Sequence, residues 1–366
     1  MTKNSEQLHS LHHHGLFHLA KSLIISLIAL PTFCTAEITD FDFEYIGPAV
    51  QTEGMHVWGS SPVIGADEKV HLYVARWPIA TQKDFNGWYK DCEIAHYVGD
   101  TPEGPFEFVR VAVHDQDGTF NSPHNPTIQK IDGKYVLCFI VNENDKLKTQ
   151  RIIMMVADDL NDEWRPAAGA EEDGTILRKS SEPSDWNFEA KLGVSNPSLI
   201  KYKGKYMLYI KSVIPNGGYS YGVAVSDKLE GPYKNHPKKV TDGGIEDAYA
   251  FTMGETVYLL SRNFGHLLGG SHGGGLLWRS KNGLWFPKKD VKLSFKPLAE
   301  YTGAEDLKNG TKYRPPAKVN DYSGRLERPQ ILMMDGQPAY VYMATGISTR
   351  EGYGSCSHVF RMTKKD

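Results

Sequence analysis

Three carboxylic acids stand where acid–base chemistry can be built. Glu246 and Asp247 are adjacent in Gly244-Ile-Glu-Asp-Ala-Tyr-Ala-Phe, and Glu327 lies in Leu326-Glu-Arg-Pro-Gln. Each heads a short run of alternating apolar residues that reads as a β-strand. Carboxyl groups that face each other across a small pocket can split an acetal. One carries a proton for the leaving oxygen, and the other activates water or attacks directly. Glu246 and Glu327 occupy the same place in their runs, so they should face one space together. Asp247 follows Glu246 directly, and strand alternation turns it away unless the strand is bulged. The plainer use of such acids is ion pairing with Arg325, Arg328 or nearby lysines.

The elements that must hold these acids repeat. A polar head, a Pro slot and a tight turn between two strands recur five times. The openings are Ser60-Ser61-Pro62-Val63, His124-Asn125-Pro126-Thr127, Ser195-Asn196-Pro197-Ser198, Glu246-Asp247-Ala248 and Glu327-Arg328-Pro329-Gln330. The Pro slots at 62, 126, 197, 248 and 329 are 64, 71, 51 and 81 residues apart. Turns at Asp67-Glu68, Asp132-Gly133, Lys203-Gly204, Met253-Gly254 and Asp335-Gly336 follow them. Units of this size, each opening on a hairpin, predict an all-β, five-bladed β-propeller over 37–366. Two packed β-sandwiches would leave five matched openings to coincidence. The connectors Thr101–Phe106 and Lys228–Tyr233 share Gly-Pro-aromatic and support the repeat independently. Phe41–Gly47 is expected to pair as the outer strand of the last blade, so that no sheet edge stays open. Pro78–Lys90 reads as a loop, and the polar insert Lys296–Gly324 is long for a loop.

In a propeller the first strand of each blade lines the central channel. The slot before Pro then gathers Ser61, Asn125, Asn196, Asp247 and Arg328. The slot before that gathers Ser60, His124, Ser195, Glu246 and Glu327. A structural core would put apolar residues there, whereas this ring is almost wholly polar. His56 and His124 can bind a hydroxyl, act as an acid or ligate an axial channel metal ion. No HExxH and no paired CxxC occurs, so no cofactor is required by any motif and no metal ligand is assigned. Trp58, with Trp77 and Trp88, can stack on an apolar ligand face. His272, among glycines, is a candidate rim contact. Arg328 can recognise a carboxylate or sulfate, or hold Glu327 ionised.

The 366 residues are 40% hydrophobic, enough for a sizeable core, and include 19 Tyr and 7 Trp. A formal net charge of −3 gives no electrostatic reason to expect a nucleic acid or an anionic membrane as partner. Residues 1–36 read as a secretory signal: Lys21, an apolar run from Leu23 to Leu30, then Cys34-Thr35-Ala36 as the cleavage site. The expected location is periplasmic or secreted, with no membrane attachment after cleavage. Cys92, Cys138 and Cys356 then remain, an odd number. Cys138 reads as a buried apolar residue, and a Cys92–Cys356 bridge between first and last blades is the one pairing considered.

These openings resemble those of the five-bladed β-propeller glycoside hydrolases of families 43, 117 and 130, over about residues 40–366. Trp58–Pro62, His124–Thr127, Glu246-Asp247 and Leu326–Gln330 are similar to the signatures of a family-43-like group. The resemblance implies a carbohydrate substrate, an acid at Glu246, a base in blade one and a modulating Asp before Pro. Here Ser61 stands in the base slot, and Asn125 and Asn196 stand in modulator-like slots. Similarity to family 117 implies exo-acting, inverting removal of an α-linked 3,6-anhydro-galactose or related algal sugar. A family-130-like phosphorylase and a non-catalytic glycan-binding propeller are the other readings.

Overall fold

The structure is a computed structural model. It describes residues 41–364 apart from 80–83, 116–117, 145, 216, 265–266, 270–271, 304–310, 313–323 and 349–351. The expected signal (1–36) and most of the polar insert lie outside the described residues.

Tight turns and alternation fold the chain into five antiparallel sheets, one per repeat. Their innermost strands are Met55–Ile64, His124–Ile131, Ser195–Tyr202, Glu246–Met253 and Glu327–Met334. Each packs beside the next around a ring, and the fifth packs against the first. The chain is therefore a five-bladed β-propeller. Three of the hairpins turn through residue pairs with both φ positive, Asp132-Gly133, Lys203-Gly204 and Asp335-Gly336, the twist that two-residue hairpins require. Blade five is completed by Phe41–Val50, which pairs antiparallel with Cys356–Lys364. The first and last described strands thus share one sheet, as expected, with Phe41–Val50 outermost, so that Cys356–Lys364 is paired on both sides. Blade two carries two short outer strands, Arg165–Pro166 and Thr175–Leu177. The expected loop between Pro78 and Lys90 holds a 3-10 helix, Asp84–Tyr89.

Period-two alternation sends successive residues into different cores. Met207 and Tyr209 pack between blades three and four, while Leu208 and Ile210 pack between blades two and three. Five such layers, one per blade junction, make up the core. All three described cysteines are buried and free. The Cys92–Cys356 bridge does not form. Cys356 lies against His358 in its own blade (Sγ to Nε2, 3.4 Å), and Cys92 packs among Trp77, Phe85 and Trp88.

The head of every inner strand is bulged. Pairing steps from His124↔Ile140 to Thr127↔Cys138, and likewise from Glu246↔Arg262 to Tyr249↔Leu260, so one strand carries an extra residue. In all five blades one residue of the bulge is left-handed: Gly59, Asn125, Asn196, Asp247 and Arg328, with φ between 50 and 60°. This corrects the expected alignment of blade one by two residues. Its slot pair is Trp58-Gly59 rather than Ser60-Ser61. The Pro signal misled because Pro126, Pro197 and Pro329 sit inside bulges, where no ladder N–H is needed, whereas Pro62 lies deeper and opposes Leu72. Ser61 is accordingly a tether between blades. Its hydroxyl donates to Gln330 Oε1 (3.0 Å) and accepts from the Ile128 N–H (2.9 Å).

Candidate active site

The bulge decides where Asp247 points. With one extra residue and a left-handed φ, Glu246 and Asp247 both line one cavity of about 180 Å³ at the mouth of the channel. Glu327 joins them from the next blade. Arg262, directly across the hairpin from Glu246, places Nη1 2.6 Å from Glu246 Oε2 and 2.7 Å from Glu327 Oε1. Those two oxygens therefore lie within 5.3 Å of each other. Lys211 Nζ stands 3.4 Å from Glu246 Oε1, and Arg325 Nη1 3.7 Å from Glu327 Oε1. Two glutamates and three cations form one buried network.

Asp247 is bound differently. Its Oδ1 accepts from Asn196 Nδ2 (2.7 Å), and Asn196 Oδ1 accepts from Asn125 Nδ2 (2.9 Å). Burial pushes its carboxyl up to about 6, and the charge of Glu246 adds to that, with Lys211 and Arg328 opposing. A proton is therefore held more readily here than on an ordinary aspartate.

The facing wall comes from blades one and two: Trp58, Trp77, Phe85, Trp88 and His124. Phe85 and Trp88 are carried by the 3-10 helix, and Phe85 meets Trp58 edge-on at 4.8 Å. His124 Nδ1 lies 2.7 Å from the Ser122 carbonyl, which assigns the proton to Nδ1. Burial pushes this imidazole down to about 4, so the ring is neutral. Its Nε2 is left as an acceptor beside Gln150, 3.5 Å away.

Of the residues singled out in the sequence, Glu246, Asp247, Glu327, Trp58, His124, Asn125 and Asn196 line the cavity. Four do not. Ser61 lies below as an inter-blade tether. His56 is fully buried, stacked on Trp77 at 5.3 Å, and its Nδ1 accepts from the Ser355 N–H. Its bulk therefore supports the aromatic wall from behind. Arg328 is buried beneath the floor, and His272 is exposed away from the lining. Sequence reasoning missed Lys211, Arg262, Gln150 and Tyr219. Counting back across the two-residue turns misses the first two by one residue, giving Ser212 opposite Ser195 and Asn263 opposite Glu246; the bulge shifts the true partners to Lys211 and Arg262. The axial metal does not fit this donor set. A buried guanidinium lies under the floor, and among the described residues no three His, Cys, Asp or Glu side chains are placed to hold an ion.

Because the wall is aromatic, Trp58→Ala is expected to weaken ligand binding by at least tenfold, with a smaller effect on turnover. Calorimetric titration with a bound glycan checks this.

No family profile matches the sequence, and neither does any curated protein. Solved structures do match in fold. The chain is similar to Zg3597, a family 117 glycoside hydrolase of the marine bacterium Zobellia galactanivorans, at 17% identity and a TM-score of 0.59, covering 88% of this chain and 90% of that one. CoXyl43, a family 43 β-xylosidase/α-arabinofuranosidase from a compost metagenome, matches at 14% identity and TM-score 0.55, covering 88% and 95%. An exo-1,5-α-L-arabinanase from a bovine ruminal metagenomic library matches at 14% identity and TM-score 0.54, covering 87% and 95%. The fold is thus that of the five-bladed glycoside hydrolases which the strand openings resemble.

Proposed function

We propose that this protein is a glycoside hydrolase that removes a terminal sugar from a plant or algal glycan. The observation that carries the reading is the cavity itself, lined by three acids and by an aromatic cluster. Stacking positions a sugar ring, and the acids supply proton transfer to and from the scissile bond. Deeper in the propeller, Gln129 Nε2 donates to Tyr249 Oη (3.1 Å) and so links the inner strands of blades two and four. A pocket of about 180 Å³ suits a single terminal sugar and is smaller than sites for larger ligands. This favours exo action.

Asp247, whose carboxyl burial pushes up to about 6, is assigned as general acid. The nearest oxygens of Glu246 and Glu327 lie within 5.3 Å, closer than the roughly 6.5–9.5 Å of inverting pairs. Under the inverting mechanism that the resemblance implies, Asp247 pairs with Glu327 as base, and Glu246 tunes both. Neutral His124, through Nε2, accepts from a sugar hydroxyl. The leader read over 1–36 supports a reaction outside the cytosol. A panel of marine and plant oligosaccharides tests the assignment. Sugar release by the wild-type protein, with binding but no release by Glu327→Gln, is expected, and the product's anomeric configuration is read by NMR. Binding without release by the wild type would make this a glycan-binding propeller instead.

A further inference from the structure

We propose that Arg328 is the protein's own axial cation, a positioning residue that closes the ring of bulge residues and neutralises the pocket floor from below. The five left-handed residues surround the propeller axis. Asn125, Asn196 and Asp247 are joined by amide hydrogen bonds in that order, and Arg328 Nη2 reaches the Asn125 carbonyl at 3.3 Å. Gly59, the fifth member, leaves room for this path. A Cβ there would sit 3.6 Å from Arg328 Nε, so a longer side chain would compete with the guanidinium for space. The largest residue of the ring thus faces the smallest.

Arginine is a poor choice for this position on local grounds. A left-handed φ of 55° costs a residue with a Cβ about 1 kcal/mol or more. At 1% exposure the guanidinium is also stripped of water, which is tolerable only beside an anion. Asp247 is that anion, and the two attract each other across the floor. The groups facing Asp247 are Lys211, Asn196 and Tyr221 from blade three, Glu246 from its own blade, and Glu327 and Arg328 from blade five. Lys211 is held by Glu246, while Arg262 and Arg325 are held by the glutamates. Lys211 and Arg328 are the cations that act on Asp247, and of the two Arg328 is the one buried in the ring of bulge residues.

The role in catalysis rests on the hydrolase reading, but the electrostatic role is tested without a substrate. Urea unfolding between pH 4 and 8 is compared for the wild type, Arg328→Met, Arg328→Lys and Asp247→Asn. The folded-state carboxyl of Asp247 titrates at about 6, above its unfolded value of 3.8. Its stabilising contribution is therefore complete below about pH 4 and is lost as pH rises through 6. Arg328→Met should move that loss to higher pH by about one unit. Arg328→Lys should leave it in place, and Asp247→Asn should abolish it. Added calcium or chelator should leave the melting temperature of the wild type unchanged. A Met variant whose profile superimposes on the wild type overturns the proposal, as does stabilisation of the wild type by calcium. If Arg328→Met does not fold, adding Asp247→Asn should restore folding, and failure to do so overturns it equally. If these profiles behave as expected while no glycan is cleaved, the hydrolase reading fails and the axial cation stands.

Discussion

Asp247→Asn is expected to lower kcat by roughly 10²–10⁴-fold while leaving substrate affinity nearly intact, the range spanned by a general acid. The amide keeps the size of the carboxyl and can keep its oxygen toward Asn196 Nδ2, 2.7 Å away in the wild type. What it loses is the transferable proton. The loss should therefore depend on the leaving group. An aryl glycoside whose phenolate leaves unaided should be hydrolysed at close to the wild-type rate, and an alkyl glycoside should not. Glu327→Gln, the base variant, should be slow on both. Asp247→Asn should also stabilise the fold at pH 7. A carboxyl titrating at about 6 against 3.8 unfolded costs about 3 kcal/mol when ionised, and an amide never ionises. Equal losses on both leaving groups would move the acid role from Asp247 to Glu246, the slot the family resemblance implies.

The second large effect concerns the residue that holds the acids apart. Arg262→Met should destabilise the protein by about 3–5 kcal/mol, because it leaves two buried glutamates facing each other. Lys211 and Arg325 remain, at 3.4 and 3.7 Å, but neither bridges the pair as Arg262 does. Protonation of one glutamate would relieve the repulsion, so the deficit should shrink at low pH. Glu246→Gln in the Arg262→Met background should restore much of the lost stability. Chemical denaturation of the single and double variants measures this coupling directly. Additive losses would mean that Arg262 acts through packing alone.

Strand-period alternation, tight turns and a phrase repeated five times determined the propeller, its blade count and its closure by the first strand, because each is a local or periodic property. The same phrase brought Glu246, Asp247, Glu327, His124 and the two asparagines to one mouth. Tertiary structure decided what periodicity does not encode. A one-residue bulge turned Asp247 inward beside Glu246, against strict alternation. The same bulge moved blade one's slot from Ser60-Ser61 to Trp58-Gly59 and left Ser61 to join blades. Arg328 sits in the slot that reads as ligand-facing, yet it is buried outside the cavity lining, with its Nη2 on the Asn125 carbonyl and Gly59 leaving space beside its Nε. Free cysteines, one in blade one and one in blade five, looked pairable in sequence, but each is packed within its own blade. Charge pairing was hidden for a related reason: Arg262 meets Glu246 across a hairpin and Glu327 across a blade junction, and only the closed ring brings both to one nitrogen.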